Sequence, residues 1–158
     1  MLYLVEARVE TVSSSSKAGR NFLPENAWTG TEKWNTDRGY FKSAVEANPW
    51  IKFRFTANVT MFGITIITRK DCCGELLKNV EIRGGISSDF EDNPVVGYFE
   101  GPGITNAEHY VPLTGFTQMD VLSLQIIGVK ESLQINGLRP NYNPGSSLNF
   151  HFTIHLFV

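Results

Sequence analysis

Apolar and polar residues alternate along this chain with the period of strands rather than of helices. Ile51-Lys52-Phe53-Arg54-Phe55 places an apolar side chain at every second position, as a half-buried strand requires. Val80 and Ile82 alternate with Glu81 and Arg83 in the same way. Gly63 to Thr68 is a β-branched run typical of a central strand. Leu122 to Ile127 alternates at first and then turns fully apolar, and the tail Phe150 to Leu156 alternates without a break. Turn clusters separate these runs: Arg83-Gly84-Gly85, Asp92-Asn93-Pro94, Glu100-Gly101-Pro102-Gly103 and Pro140 to Gly145. Strands punctuated in this way predict an all-β chain, an antiparallel β-sandwich or jelly roll. Helix is confined to a turn at Ser43 to Ala47 or Pro24 to Trp28, and Ser13 to Ser16 marks a passage from strand to loop. No internal repeat and no long linker divides residues 1–158, so one domain is expected.

Composition narrows the functional classes. A chain of 158 residues buries a sizeable core without help from metals or many disulfides. The formal charge is −2 and the Lys and Arg residues are scattered, which speaks against nucleic acid or an anionic membrane as partner. No apolar run approaches the roughly 20 residues that span a bilayer. Met1 to Glu6 is too short and too soon acidic for a signal peptide. Nucleophile elbows, phosphate loops, dinucleotide fingerprints and metal-spaced His or Cys sets are missing, so an enzyme is not expected. His109 is placed in a loop without an identifiable catalytic partner. His151 and His155 share one face of the tail strand but stand about 13 Å apart, too far for one ion. Asp89, Glu91 and Asp92 make a solvated acidic loop, and Asn58-Val59-Thr60 is an N-glycosylation sequon. Cys72 and Cys73 are neighbours. Ordinary disulfides hold their Cα atoms about 4.4–6.8 Å apart, against about 3.8 Å for neighbours, so the bare reading is two free thiols near a strand end.

The segment Asn48-Pro49-Trp50, followed by a strand and then by Arg69-Lys70-Asp71-Cys72-Cys73-Gly74-Glu75, resembles the core of the F-type lectins. These are fucose-binding domains within the discoidin-like, galactose-binding-like jelly rolls. Asn26-Ala27-Trp28-Thr29-Gly30 and Ser132-Leu133-Gln134-Ile135 resemble two further family segments, so the likeness runs from about Leu4 to Leu138. Residues 141–158 are an unmatched extension, read as an extra C-terminal strand. The resemblance implies a disulfide between Cys72 and Cys73 that forms an apolar platform under the sugar. It also implies sugar-binding roles for Arg69 and Asp71, and for Lys42, which stands where the family carries a His.

The residue types suit that chemistry. Arg69 offers a planar fork of donors to vicinal hydroxyls, and Asp71 either holds the fork or accepts from a hydroxyl. Lys42 only donates, and it fits either a hydroxyl or an acidic sugar. Leu76 takes the place of a second family cation, and its neighbour in strand parity, Lys78, is a candidate substitute. Fucose binding is therefore expected to be weak or lost. Among the tryptophans Trp34 is the stacking candidate and Trp50 is expected in the core; Trp28 is a further stacking candidate. The family's structural Ca²⁺ would meet Asn26, Thr29, Thr31 and Asn136-Gly137, where the usual carboxylates are missing, so a weak or absent site is expected even with help from Asp37. The expectation is thus a carbohydrate-binding module for fucosylated or acidic glycans, the alternative being a protein-interaction module on the same scaffold. Self-association through the alternating tail is a further expectation. A vicinal disulfide favours an oxidising, extracellular setting.

Overall fold

The computed structural model describes residues 7–29 and 39–142, with the side chains of 115–117 outside that description. It is an antiparallel β-sandwich of jelly-roll type. Its strands are β1 (Val9–Ser14), β2 (Phe41–Lys42), β3 (Glu46–Ala47), β4 (Trp50–Ile67), β5 (Val80–Gly85), β6 (Val95–Phe99), β7 (Glu108–Ile126), β8 (Lys130–Glu131), β9 (Gln134–Ile135) and β10 (Gly137–Asn141). Short 3₁₀ turns lie at Pro24–Ala27, Gly74–Leu76 and Phe90–Asp92.

Two long strands organise the sheet. β4 pairs with β7 along most of its length, but the register shifts between Arg54 and Val59 and again between Met61 and Gly63. On the early side of these breaks β4 and β7 are flanked by β1 and by β5 with β6. On the late side the outer neighbour of β4 is β10. One long antiparallel pair of strands thus contributes to both layers. Phe53, Leu122 and Leu124 from its first part share one core cluster with Ile64, Ile66 and Val111 from its second. Burial of these aliphatic and aromatic side chains, at roughly 25 cal/mol per Å², holds the layers together.

The alternating runs form strands as expected: Ile51 to Phe55 lies in β4, Val80 to Arg83 in β5, Leu122 to Ile126 in β7. Gly63 to Ile67 is central, with β7 on one side and β10 on the other. Three expectations need correction. Glu46–Ala47 is a strand paired with β8 rather than a helical turn. Gly84 and Gly85 lie inside β5 rather than in a turn, because they leave room for neighbours: a Cβ on Gly84 would meet Met119 at 3.0 Å, and one on Gly85 would meet Asn93 at 2.4 Å. Pro140 belongs to β10, which among the described strands pairs with β4 alone, and an edge strand tolerates a missing N–H. The tail Phe150 to Leu156, with His151 and His155, lies outside the described residues. No described helix is long and apolar enough to cross a membrane, which says nothing of strand barrels.

Candidate functional site

Arg69 lies two residues beyond Ile67, the end of β4, and the segment 69–76 is held by contacts from another loop. Thr68 is 1% exposed and anchors this junction. Its hydroxyl donates to the Ile104 carbonyl and accepts from the Ala107 N–H at 3.0 Å. The Asn106 N–H donates to the Arg69 carbonyl at 2.7 Å, the Gly74 N–H to Thr105 Oγ1 at 3.0 Å, and the Gly103 N–H to the Leu77 carbonyl at 2.8 Å. The loop 100–107 therefore clasps the segment from Arg69 to Leu77. Replacing Thr68 by Val keeps the shape and removes the acceptor for the Ala107 N–H. The expected result is a loss of about 1–3 kcal/mol in stability by denaturant titration, the cost of a buried donor left unmet.

Within the clasped segment Cys72 and Cys73 are joined by a disulfide, and their Cα atoms are 3.7 Å apart. The implied bond is therefore present, and the free-thiol reading of the bare sequence is corrected. Cys73 is left-handed at φ 70°, and Gly74 packs directly under the 104–105 backbone. Both sulfur-bearing residues are half-buried.

The Arg69 guanidinium is fixed on three sides. Its Nε donates to Asp71 Oδ1 at 3.0 Å and its Nη2 to Oδ2 at 2.7 Å, a bidentate pair. Its Nη1 donates to Gln134 Oε1 at 2.8 Å. The guanidinium carbon lies 4.0 Å from the centre of the Tyr40 ring. The side chain retains 11% exposure, whereas Asp71 is 67% exposed. One N–H on each Nη thus has no partner among the described residues. The Nε–Nη2 edge of the guanidinium is occupied by Asp71, so Asp71 holds the fork.

Lys42 reaches the same place from β2. It pairs across β2 and β9 with Gln134, the residue that accepts from Arg69. Ser43, fully buried, stitches this ladder: its carbonyl accepts from Ser132 Oγ at 2.8 Å and its hydroxyl from the Leu133 N–H at 2.9 Å. The Lys42 ammonium lies 5.7 Å above the centre of the Phe22 ring, and Phe22 packs on Tyr40 at 5.1 Å. Lys42, Arg69 and Asp71 thus lie around one cluster that also holds Phe22, Tyr40 and Gln134.

Asp71 titrates low. The hydrogen bond from Arg69 is the largest cause holding its carboxyl below the ordinary value, against a smaller opposing effect of desolvation. A carboxyl depressed on folding contributes stability that is present above its unfolded value, near 3.9, and is lost as pH falls through the lower folded value. Ligand affinity that depends on the held fork is accordingly expected to show no Asp71-linked change from about pH 7 to 5 and to fall below about pH 4. Titrations at stepped pH check this.

Other candidates are placed elsewhere. Leu76 lies in the Gly74–Leu76 turn, and Lys78 pairs with Glu131 at 3.7 Å. Trp28 is 2% exposed and packs against Phe53 and Phe55, so it is core and no stacking platform. Trp50, expected in the core, is only partly buried and rests on Phe90. Trp34 lies outside the described residues. His109 is in β7 rather than in a loop, and its Nε2 accepts the Ile104 N–H at 3.0 Å, a structural role within the clasp. For calcium the described residues fit poorly. The Asn26 amide donates to the Asn21 carbonyl and the Thr29 hydroxyl to the Leu138 carbonyl. No group of three His, Cys, Asp or Glu side chains suited to a metal occurs among the described residues. Thr31 and Asp37 lie outside them.

Comparison with solved structures places the fold. An F-type lectin (fucolectin) from striped bass serum superposes with a TM-score of 0.70 at 22% identity, covering 82% of this chain and 45% of that one. This chain thus spans about half the length of that lectin. A fucose-binding module of Streptococcus pneumoniae matches with a TM-score of 0.69 at 11% identity, covering 87% of this chain and 94% of the module. A family 32 carbohydrate-binding module from Clostridium perfringens, solved with GalNAc-β-1,3-galactose, matches with a TM-score of 0.65 at 13% identity, covering 83% and 94% of the two chains. The fold is therefore the galactose-binding-like jelly roll shared by F-type lectins and these modules. No protein-family model and no curated protein matches the sequence.

Proposed function

We propose that the protein is a carbohydrate-binding module whose sugar lies against Arg69, Lys42 and the Cys72–Cys73 bridge. The observation that carries this reading is the Arg69 guanidinium. Asp71, Gln134 and Tyr40 fix it while one N–H on each Nη stays without a described partner. Donors fixed beforehand cost little ordering on binding, and neutral hydroxyls are matched by such donors. The neighbouring disulfide supplies an apolar surface for ring carbons. No reacting group is needed, so the reading is of binding and not of turnover.

Fucose itself is bound weakly in this account. Leu76 donates nothing, and a lost charge-assisted hydrogen bond of about 1.5–3 kcal/mol corresponds to about 10- to 100-fold in affinity. A glycan array probed with the native chain and with Arg69→Ala tests the proposal. Glycan signals that vanish in the variant support it; signals that persist, or none at all, defeat it. A micromolar fucose constant by calorimetry would show the Leu76 argument to be wrong.

The edge strand β6 favours a second reading, a protein-binding surface. Val95 and Tyr98 are 47% and 49% exposed there, on an edge that pairs with no second described strand.

A further inference from the structure

Next to the Arg69 cluster lies a hollow of about 450 Å³, lined among others by Arg20, Asn21, Phe22, Asn26 and Tyr40. That volume is within the range of about 300–1,000 Å³ usual for small-molecule sites. The hollow is continuous with the proposed sugar face because the two share walls. Tyr40 carries the Arg69 guanidinium, and Phe22 packs on Tyr40 while lying under the Lys42 ammonium.

Among the described residues the charges of this surface do not balance. Arg69 is answered by Asp71 through two hydrogen bonds. The described ion pairs take Glu10, Asp71, Glu131, Glu81 and Glu108, and none of them includes Lys42 or Arg20. Arg20 thus lines the hollow and Lys42 lies beside its Phe22 wall, with no described carboxylate paired to either. The two aromatic rings beside them offer apolar faces to the C–H side of a pyranose. A neutral sugar would leave both cations without a counter-charge, whereas a nucleic acid would need a larger basic surface than a chain of net charge −2 provides.

We infer that the hollow is a second subsite and takes an acidic sugar residue, whose carboxylate or sulfate meets Arg20 and Lys42 while an adjoining residue of the same glycan lies on Arg69. This rests on the carbohydrate-binding reading. The test is calorimetry at low and physiological salt with three disaccharides of matched linkage: one neutral, one carrying a uronate, one carrying a sulfate ester. The acidic ligands are expected to bind about tenfold tighter than the neutral one, with the advantage shrinking as salt shortens the Debye length to about 8 Å. Arg20→Ala and Lys42→Gln are each expected to remove about two- to fivefold of affinity for the acidic ligand, the scale of an exposed ion pair. Arg20→Lys should restore most of the first loss. Preference for only one acidic ligand supports the subsite and identifies its anion. Equal affinity for neutral and acidic ligands, or a preference untouched by both substitutions, overturns the subsite. If the neutral ligand still binds and loses affinity in Arg69→Ala, the carbohydrate reading survives that failure. If no disaccharide binds, both readings fall.

Discussion

Arg69→Ala is expected to lower glycan affinity by about 100-fold or more, since two charge-assisted hydrogen bonds at about 1.5–3 kcal/mol each are removed. The same change leaves Gln134, only 7% exposed, without the donor that its side-chain carbonyl now accepts. A buried acceptor left unmet costs about 1–3 kcal/mol, so the melting temperature should fall by a few degrees while the fold persists. Arg69→Lys separates charge from geometry. A lysine keeps the positive charge but cannot hold Asp71 through two nitrogens and present two more to a ligand. Its affinity should resemble that of the alanine variant. If lysine supports full binding, the fork is irrelevant and only charge matters.

The second large effect is expected from Gly74→Ala. A Cβ there would lie 2.3 Å from the Thr105 nitrogen and 2.4 Å from the Ile104 carbonyl carbon. These are backbone atoms, and no side-chain rotation relieves the overlap. The loops 100–107 and 69–77 must part, which strains the Gly74–Thr105 and Gly103–Leu77 hydrogen bonds. Overpacking of this kind costs about 1–3 kcal/mol. Because Cys73 directly precedes Gly74, the displacement also carries the disulfide away from Arg69. Both melting temperature and glycan affinity should drop. Gly19→Ala is the control. Its added Cβ would meet Phe22 at an ordinary 3.5 Å, and the expected change in stability is within about 0.5 kcal/mol. Equal behaviour of the two variants in thermal melts would show that the clasp does not position the site.

The strands with one buried face were legible because alternation is a local signal. Ile51 to Phe55 and Val80 to Arg83 carry it in five or fewer residues. The clasped segment was legible too, through the string Arg69 to Glu75 and its resemblance to the F-type lectins. What the sequence hid depends on register and tertiary packing. Gln134 meets Arg69 only because β9 pairs with β2 and the segment after β4 passes beside it. Tyr40 meets Arg69 across the fold, with no motif linking them. Gly84 and Gly85 carry a turn signature, yet they serve in β5 as spaces for Met119 and Asn93, which is a property of the partners and not of the pair. The opening of β7, Glu108 to Leu113, has only two buried positions, Val111 and Leu113 between exposed neighbours, and Pro112 between them weakens its strand signal.

The central claim is that a glycan contacts the Arg69 guanidinium beside the Cys72–Cys73 bridge. It is tested most directly by following backbone and arginine Nε–H resonances during titration with a glycan that binds on the array. The account predicts that Arg69 Nε–H, Tyr40, Lys42 and the Cys72–Gly74 amides shift together and saturate with one constant. Shifts confined to β6 or to the part of β4 around Asn58, with Arg69 unmoved, would contradict it.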